Sequence, residues 1–267
     1  MLNVARRLVR TLGDVRDRRQ LREAAPELSF ALEASGDGDD RECWLPIERR
    51  RGVLLSSDWL IPFPEHGAGT LWPGAVSGMR RVDELTRAAC KPRRWAEVLF
   101  HLVRMLRPNV AIELGTCVGM SGAYQAAALK RNGVGMLLTF EGAEAAARIA
   151  DEGFQALGLQ AHVRVIVGRF ADTLPGRLEG IAPIAYAFID GHHEEQATLA
   201  YYAMLVPHLA PRALIVFDDI RWSPGMTRAW RTIADDGGST VSVDCGSVGL
   251  ALRDPAARPG QYRFTVV

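Results

Sequence analysis

The stretch VAIELGTCVGMSG, residues 110–122, decides how the rest of the sequence is interpreted. Residues 110–114 are apolar apart from Glu113 and are typical of a buried strand. Gly115 and Gly119 follow, and Ser121 lies where a helix is expected to begin. Glycine lets the backbone approach a ligand, and free amides at a helix start attract a negatively charged group. This strand, turn and helix therefore predict a ligand-binding loop.

Similar short apolar segments recur along the chain and alternate with helical segments. They are residues 110–114, 136–140, 163–167, 185–189 and 213–217, and a helical segment with apolar positions on one face precedes them from Lys91 to Pro108. Such alternation is typical of a parallel sheet with crossover helices. The last strand candidates, STVSVDC, VGLALR and YRFTV, lack long helices between them and predict an antiparallel end. We therefore predict an α/β fold: a Rossmann-like, doubly wound, mostly parallel sheet.

The amino-terminal part follows a different pattern, so we predict two regions, 1–84 and 85–267. Residues 1–25 predict an amphipathic helix rich in arginine, which we expect to pack on the body of the protein or on a second subunit; binding to a membrane surface is the alternative. Residues 36–42, GDGDDRE, are interpreted as a solvated turn. Residues 51–78 are rich in glycine and proline and predict an irregular covering segment or lid.

Composition excludes several classes of protein. The 267 residues are 48% hydrophobic and carry a net charge of +1, with 30 arginines among the 32 basic residues. This balance gives no general case for a nucleic-acid or membrane partner, and no apolar run reaches the roughly 18 residues of a membrane span. The four cysteines are widely spaced and no secretory signal is recognisable. We expect a soluble cytoplasmic protein with reduced thiols.

The glycine loop does not have the spacing of a dinucleotide-binding fingerprint, because Gly115 is followed by three other residues before Gly119. The pattern Glu113-x-Gly115-x-x-x-Gly119-x-Ser121 resembles motif I of class I S-adenosylmethionine (SAM) methyltransferases. This resemblance implies that the loop, including Thr116, surrounds the methionine part of the cofactor.

Further cofactor contacts are expected after the following strands. Glu141 comes 26 residues after Gly115, where an acid can accept both hydrogen bonds of a ribose diol. Both NAD and SAM carry that ribose, and a helix N-terminal role is an alternative for this acid. The positions expected near the adenine and the rest of the cofactor are Gly168, Arg169, Phe170, Asp190 and His192.

Three aspartates follow two of the predicted strands. Asp190 follows residues 185–189, and the pair Asp218 and Asp219 follows residues 213–217. The carboxyl ends of parallel strands meet at one edge of a sheet, so these side chains should converge. Oxygen ligands of this density suit a hard divalent cation, with magnesium foremost. Helix capping is the alternative.

With these residues the resemblance extends over about 170 residues and points to the metal-assisted small-molecule O-methyltransferases. Asp190-x-x-His193 and the pair Asp218–Asp219 resemble the macrocin and mycinamicin sugar O-methyltransferases. The resemblance implies metal ligands at the aspartates, a catalytic role for Asp190 and a general base at His193, with His192 as the rival. Catechol-type enzymes have Asn where Asp219 stands and Lys near His193, which argues against a catechol substrate.

The sequence therefore predicts a SAM-dependent O-methyltransferase that acts on a small hydroxylated molecule and uses a divalent metal. Three alternatives stay open: a metal-independent methyltransferase, an NAD-binding oxidoreductase and a non-catalytic cofactor-binding protein. A nucleic-acid or protein methyltransferase is disfavoured by the balanced charge. The sequence does not identify the methyl acceptor, and it leaves open whether the chain forms a homo-oligomer.

Overall fold

A computed structural model describes residues 15–64 and 78–266. The described helices are α1 (15–24), α2 (Pro26–Glu33), α3 (Gly38–Leu55), α4 (Val82–Ala89), α5 (Arg93–Leu106), α6 (Met120–Asn132), α7 (Glu144–Ala156), α8 (Phe170–Leu178), α9 (Glu195–Leu205) and α10 (Pro224–Asp235). The strands are β1 (Leu60–Pro62), β2 (Met79–Arg81), β3 (Val110–Leu114), β4 (Met136–Glu141), β5 (Val163–Val167), β6 (Ile184–Ile189), β7 (Leu209–Phe217), β8 (Val241–Asp244), β9 (Gly249–Arg253) and β10 (Gly260–Arg263).

The central sheet has eight strands in the order β10-β8-β9-β7-β6-β3-β4-β5. The strands from β3 to β7 pair in parallel, whereas β9 is antiparallel to both β7 and β8. The chain order reverses at β3, which pairs with β4 on one side and with β6 on the other. Ligands of doubly wound sheets bind at such a reversal, outside the carboxyl ends of the strands.

The predicted Rossmann-like fold is confirmed. Each of the five predicted parallel strands is present, and the predicted antiparallel end is β9. These strands were recognisable because β3, β4, β6 and β7 are covered on both faces by helices and therefore consist of nearly continuous apolar residues.

Helix α2 packs on α5 and helix α3 on α6, so neither stands apart from the sheet. Trp44 of α3 is 1% exposed and lies edge-on to Phe100 of α5, with the ring centroids 5.4 Å apart. Leu21 and Leu32 belong to the same apolar cluster as the core of the sheet. One core therefore contains residues from both sides of the predicted boundary at residue 84, and the division into 1–84 and 85–267 stays a prediction.

Two predictions for the amino-terminal part are wrong. Residues 38–42 do not belong to a turn but begin α3, because Asp37 accepts a hydrogen bond from the Asp40 amide and Asp40 accepts one from the Asp37 amide. This reciprocal capping stabilises a helix start. The predicted irregular segment 51–78 contains the end of α3 and the strand β1, which pairs with β2.

Several amino-terminal predictions remain untested. Residues 65–77 of the predicted lid and residues 1–14 of the basic helix lie outside the described residues. Among the described residues, no helix combines the length and apolar character that crossing a bilayer requires. The cytoplasmic location stays a prediction.

Candidate active site

A cavity of 470 Å³ opens at the carboxyl ends of the parallel strands, which is a size suited to a small-molecule ligand. The predicted site residues that line it are Gly115, Thr116, Ser121, Glu141, Arg169, Phe170, Asp190, His192, His193, Asp218 and Asp219. Glu113, Gly119 and Gly168 are not among its lining residues. The fold thus brings most of the predicted residues to one cavity.

The loop after β3 requires glycine at two positions. Gly115 has a φ of +109°, and a Cβ at this position would lie 2.1 Å from the carbonyl oxygen of Asp190. Gly119 has a φ of +85° and would meet Ala150 of α7 at 2.9 Å. Gly119 is also the N-cap of α6 and provides no side-chain cap. The first amides of this helix are therefore not capped by their own N-cap residue, which suits a negatively charged ligand group.

Glu113 is buried next to the loop that follows β3 and binds side chains of α6 and β4. Its carboxylate is 0% exposed and accepts hydrogen bonds from Thr139 Oγ1 and Gln125 Nε2, each at 2.6 Å. Burial raises the pKa of Glu113 to about 7, while hydrogen bonds from Thr139, Ser121 and Gln125 oppose that rise. The predicted role of Glu113 as a cofactor ligand remains untested. In the structure it holds together the residues beneath the loop.

Glu141 joins the loop to the start of α7. Its carboxylate accepts a hydrogen bond from the Cys117 amide at 2.7 Å and another from the Ala143 amide at 2.9 Å. A carboxylate has about four acceptor sites, so contacts with backbone amides do not exclude a contact with a ligand diol. The helix N-terminal role and the predicted ribose contact are thus compatible.

Aromatic rings enclose the part of the cavity that follows β5. Phe170 begins α8 and packs edge-on against Tyr201, with the ring centroids 5.8 Å apart. The Phe170 ring also lies against Gly191, where a Cβ would come within 2.8 Å of it. Gly168 turns the chain with a φ of +137° ahead of Arg169. This arrangement offers a flat apolar surface of the kind that binds an adenine ring.

The two histidines after β6 have different partners. The Nδ1 atom of His192 lies 2.8 Å from the Tyr201 hydroxyl, whereas Nε2 of His193 lies 3.9 Å from Oδ2 of Asp219. His193 also packs against Trp222, with the ring centroids 6.1 Å apart. Burial lowers the pKa of His193, which favours the neutral imidazole that can accept a proton. His193 therefore faces the acidic end of the cavity.

Lys91 neutralises part of that acidic end. Its Nζ atom forms an ion pair with Oδ2 of Asp218, and the two side chains are 14% and 1% exposed. Burial raises the pKa of the nearby Asp190 to about 7, an effect that the Lys91 charge opposes and the Asp219 charge reinforces. A cation that belongs to the chain itself thus lies at the acidic end of the cavity, where it binds Asp218.

The carboxylates fit a divalent metal poorly. No group of three acidic, histidine or cysteine side chains arranged to hold a metal ion occurs within residues 15–64 and 78–266. Oδ1 of Asp218 is buried without a hydrogen-bond partner, but Oδ2 of the same residue is bound to Lys91. The Lys91 ammonium thus occupies an oxygen that a magnesium ion would need and reduces the negative charge that would attract the ion. The predicted metal site at Asp190, Asp218 and Asp219 is therefore not formed in this structure.

Backbone strain is concentrated around the cavity. Among the described residues other than glycine, five have positive φ, and four of them line the cavity: Cys117, His192, His193 and Asp219. Each such residue costs roughly 1–3 kcal/mol and persists only where its surroundings enforce it. Such clustering is typical of functional sites.

Lys91 and Tyr201 also line the cavity, although neither is among the predicted site residues. Lys91 had one signal, since it is one of two lysines in a chain with 30 arginines. Its contact with Asp218 could not have been read from spacing, because the two residues lie on distant segments. Tyr201 is an inward-facing position of α9 and had no distinguishing signal.

Part of the chain is similar in sequence to known methyltransferases. Residues 112–220 match a family model described as "Methyltransferase domain". This segment extends from within β3 to just beyond β7, so it contains most of the parallel strands and many of the residues that line the cavity. The fold is Rossmann-like, and the matched segment is similar to a methyltransferase domain.

A catechol O-methyltransferase of Niastella koreensis is 30% identical over 120 residues. The match covers 45% of this chain and 52% of that protein, so the chain spans about half the length of this relative. The match supports a relationship to O-methyltransferases. The macrocin-type branch is not confirmed.

Three solved structures share the fold. An O-methyltransferase from Bacillus cereus in complex with S-adenosylhomocysteine (SAH) has a TM-score of 0.52 at 22% identity, covering 62% of this chain and 83% of that chain. The enzyme of tomaymycin synthesis from Streptomyces achromogenes, in complex with SAM, has a TM-score of 0.52 at 23% identity, covering 62% and 82%. An SAH-bound methyltransferase of Podospora anserina has a TM-score of 0.56 at 12% identity, covering 83% and 89%. At these identities the likeness establishes the fold alone.

Proposed function

We propose that this protein is a SAM-dependent O-methyltransferase that methylates a hydroxyl group of a small molecule. The observation that carries the proposal is a single cavity lined both by the glycine loop with Glu141 and by His193 with the aspartates. A donor site and a proton acceptor are thus adjacent, as methyl transfer requires. The similarity to O-methyltransferases supports the same activity.

The chain offers a partner for each part of the donor. The first amides of α6 suit the carboxylate of the amino-acid tail, Glu141 suits the ribose hydroxyls, and Phe170 suits the adenine. SAM supplies an electrophilic methyl group on a sulfonium. Closing the donor into a partly apolar cavity keeps water away from this group.

His193 has the role of proton acceptor in this proposal. The acceptor oxygen forms a bond to the methyl carbon while the carbon–sulfur bond breaks, the bonding pair stays on sulfur, and the hydroxyl proton passes to the His193 imidazole. A neutral histidine is suited to this step near neutral pH. Asp219 lies 3.9 Å from the same ring and would stabilise the imidazolium that forms.

The metal assistance predicted from the sequence is left out of this mechanism, because Lys91 binds the carboxylate of Asp218 that would hold the ion. The methyl acceptor is a small molecule with at least one hydroxyl. The proposal assigns it to the end of the cavity between His193 and Trp222.

Binding of SAH, measured by calorimetry, tests the donor site. We expect the wild-type chain and Glu144→Ala to bind SAH equally, and Glu141→Ala to bind it about 10-fold more weakly, because the latter loses charge-assisted hydrogen bonds. Glu144 is a matched control, since it is an exposed acid in the first turn of α7. NAD binding in place of SAH would favour the oxidoreductase alternative and contradict the proposal.

A screen of hydroxylated metabolites with labelled SAM tests the reaction itself. For the acceptor that is found, His193→Asn should lower kcat by about 100-fold or more while SAH affinity changes less than about twofold. Unchanged turnover in this variant would remove His193 from the mechanism.

A further inference from the structure

Lys91 is placed at the acidic end of the cavity by the amino-terminal part of the chain. It lies between α4 and α5, and its carbonyl oxygen accepts a hydrogen bond from Arg51 Nη1 at 3.1 Å. Arg51 is itself held by Glu48 through hydrogen bonds of 3.0 and 3.1 Å. The backbone of Lys91 is therefore fixed from α3, and its side chain extends into the cavity.

The choice of lysine at this position is chemically specific. The chain has 30 arginines and two lysines, and the second lysine, Lys130, contacts the carbonyl oxygen of Gly158 at the exposed surface. A lysine ammonium is a compact charge with three donors that point in different directions, whereas a guanidinium is a flat fork. The ammonium can therefore bind Asp218 and still donate to a ligand oxygen.

Lys91 reduces the repulsion among the carboxylates around it. Asp190 and Asp219 line the same cavity, and Asp218 is 2% exposed, so a positive charge at this place favours their ionised forms. The second oxygen of Asp218 is buried and lacks a hydrogen-bond partner among the described residues.

We propose that the Lys91 ammonium is the resident cation of this site: it neutralises Asp218 and donates a hydrogen bond to the acceptor oxygen, so that methyl transfer needs no divalent metal. This inference rests on the proposed function. Lys91 holds the oxygen and stabilises negative charge on it, while His193 takes the proton. Lys91 is then a catalytic residue, since it touches the reacting oxygen.

Metal binding tests the proposal without reference to activity. Titration of the wild-type chain with Mn²⁺, followed by electron paramagnetic resonance, should detect no specific site, and millimolar Mg²⁺ should not raise its melting temperature. Lys91→Met should gain an Mg²⁺-dependent rise in melting temperature, because the carboxylates are then unneutralised. Lys130→Met is the matched control and should behave as the wild type. A stoichiometric Mn²⁺ site in the wild-type chain would overturn the proposal.

Activity provides the second test. Turnover by the wild-type chain should change less than about twofold in EDTA, whereas Lys91→Met should lose about 10- to 100-fold in kcat, the effect of removing one charge-assisted hydrogen bond. Lys91→Arg should keep the fold but recover less than about a tenth of kcat, since its donors are differently arranged. Abolition of turnover by EDTA, or full activity in Lys91→Arg, would contradict the assignment.

These outcomes separate the two proposals. Failure to bind SAH would remove the proposed function, while the Mn²⁺ titration of the wild-type chain would still report whether Lys91 or a metal occupies the site. If Lys91→Met does not fold, the double variant Lys91→Met with Asp218→Asn removes both members of the pair, and it should fold and bind neither Mn²⁺ nor Mg²⁺.

Discussion

Gly115 controls the distance between β3 and the end of β6. Its φ of +109° and the 2.1 Å that would separate a Cβ from the Asp190 carbonyl oxygen leave no room for a side chain. The Asp190 amide donates to the carbonyl oxygen of Leu114 at 2.8 Å, which fixes the two strand ends together. The loop after β3 and the end of β6 are thus positioned by the same residue.

Substitution of this glycine should be much more costly than substitution of another glycine with positive φ. We expect Gly115→Ala to lower the free energy of unfolding by about 3 kcal/mol or more, through backbone strain and a clash that backbone atoms cannot relieve. Gly133→Ala, with a φ of +70° and no atom within 4 Å of its Cβ, should lose about 1 kcal/mol. Denaturant unfolding measures both, and equal losses would contradict the steric argument.

Glu113 makes stability depend on pH in the direction opposite to that of a salt-bridged acid. Its pKa rises from 4.5 to about 7 on folding because the carboxylate is buried. At pH values below 4.5 the Glu113 carboxyl group is protonated in both the folded and the unfolded chain. As pH rises to about 7, the unfolded chain ionises first, so the folded state loses up to about 3 kcal/mol.

Glu113→Gln should remove this dependence, because glutamine cannot ionise. The free energy of unfolding of the wild-type chain, relative to that of the variant, should therefore fall as pH rises from about 4.5 to about 7. Thermal unfolding in a series of buffers measures this difference. A difference that stays constant over the range would mean that Glu113 is not the responsible group.

At the scale of elements, α3 is part of the core rather than an appendage. Trp44 contacts Phe100 and His101 of α5 and Tyr124 of α6. The same helix carries Arg51, which binds the carbonyl oxygen of Lys91. Packing of α3 therefore affects both stability and the geometry of the cavity.

Truncation of the Trp44 side chain tests this role. We expect Trp44→Ala to lower the free energy of unfolding by about 3–5 kcal/mol, because a large, 1% exposed ring leaves a cavity. Leu45→Ala is the adjacent control, since Leu45 is 52% exposed and should change stability by less than about 0.5 kcal/mol. Urea unfolding distinguishes the two; similar values would mean that α3 packs independently of the core.

At the scale of the whole molecule, the site forms where three separate parts of the chain meet. The loop after β3 supplies the glycines, the ends of β6 and β7 supply Asp190 and Asp218, and the connection between α4 and α5 supplies Lys91. The reversal of strand order at β3 opens the crevice between these parts. The connection between α4 and α5 lines one side of it, and Arg51 of α3 binds the carbonyl oxygen of Lys91, which couples the packing of α3 to the site.

The sequence by itself determined the alternating strands and helices, the glycine loop and most of the residues that line the cavity. These features depend on local periodicity and on backbone conformation, which neighbouring residues report directly. It also determined that acidic side chains converge, because the ends of parallel strands share one edge.

Only the tertiary structure showed that Lys91 lies beside these acidic side chains and pairs with Asp218. Lys91 and Asp218 come from distant segments, and their pairing depends on how α3, α4 and α5 pack against the sheet. The same holds for the place of α3 in the core, since burial of Trp44 requires α5 and α6. Long-range contacts are fixed by the packing of complete elements, and no local pattern of residues encodes them.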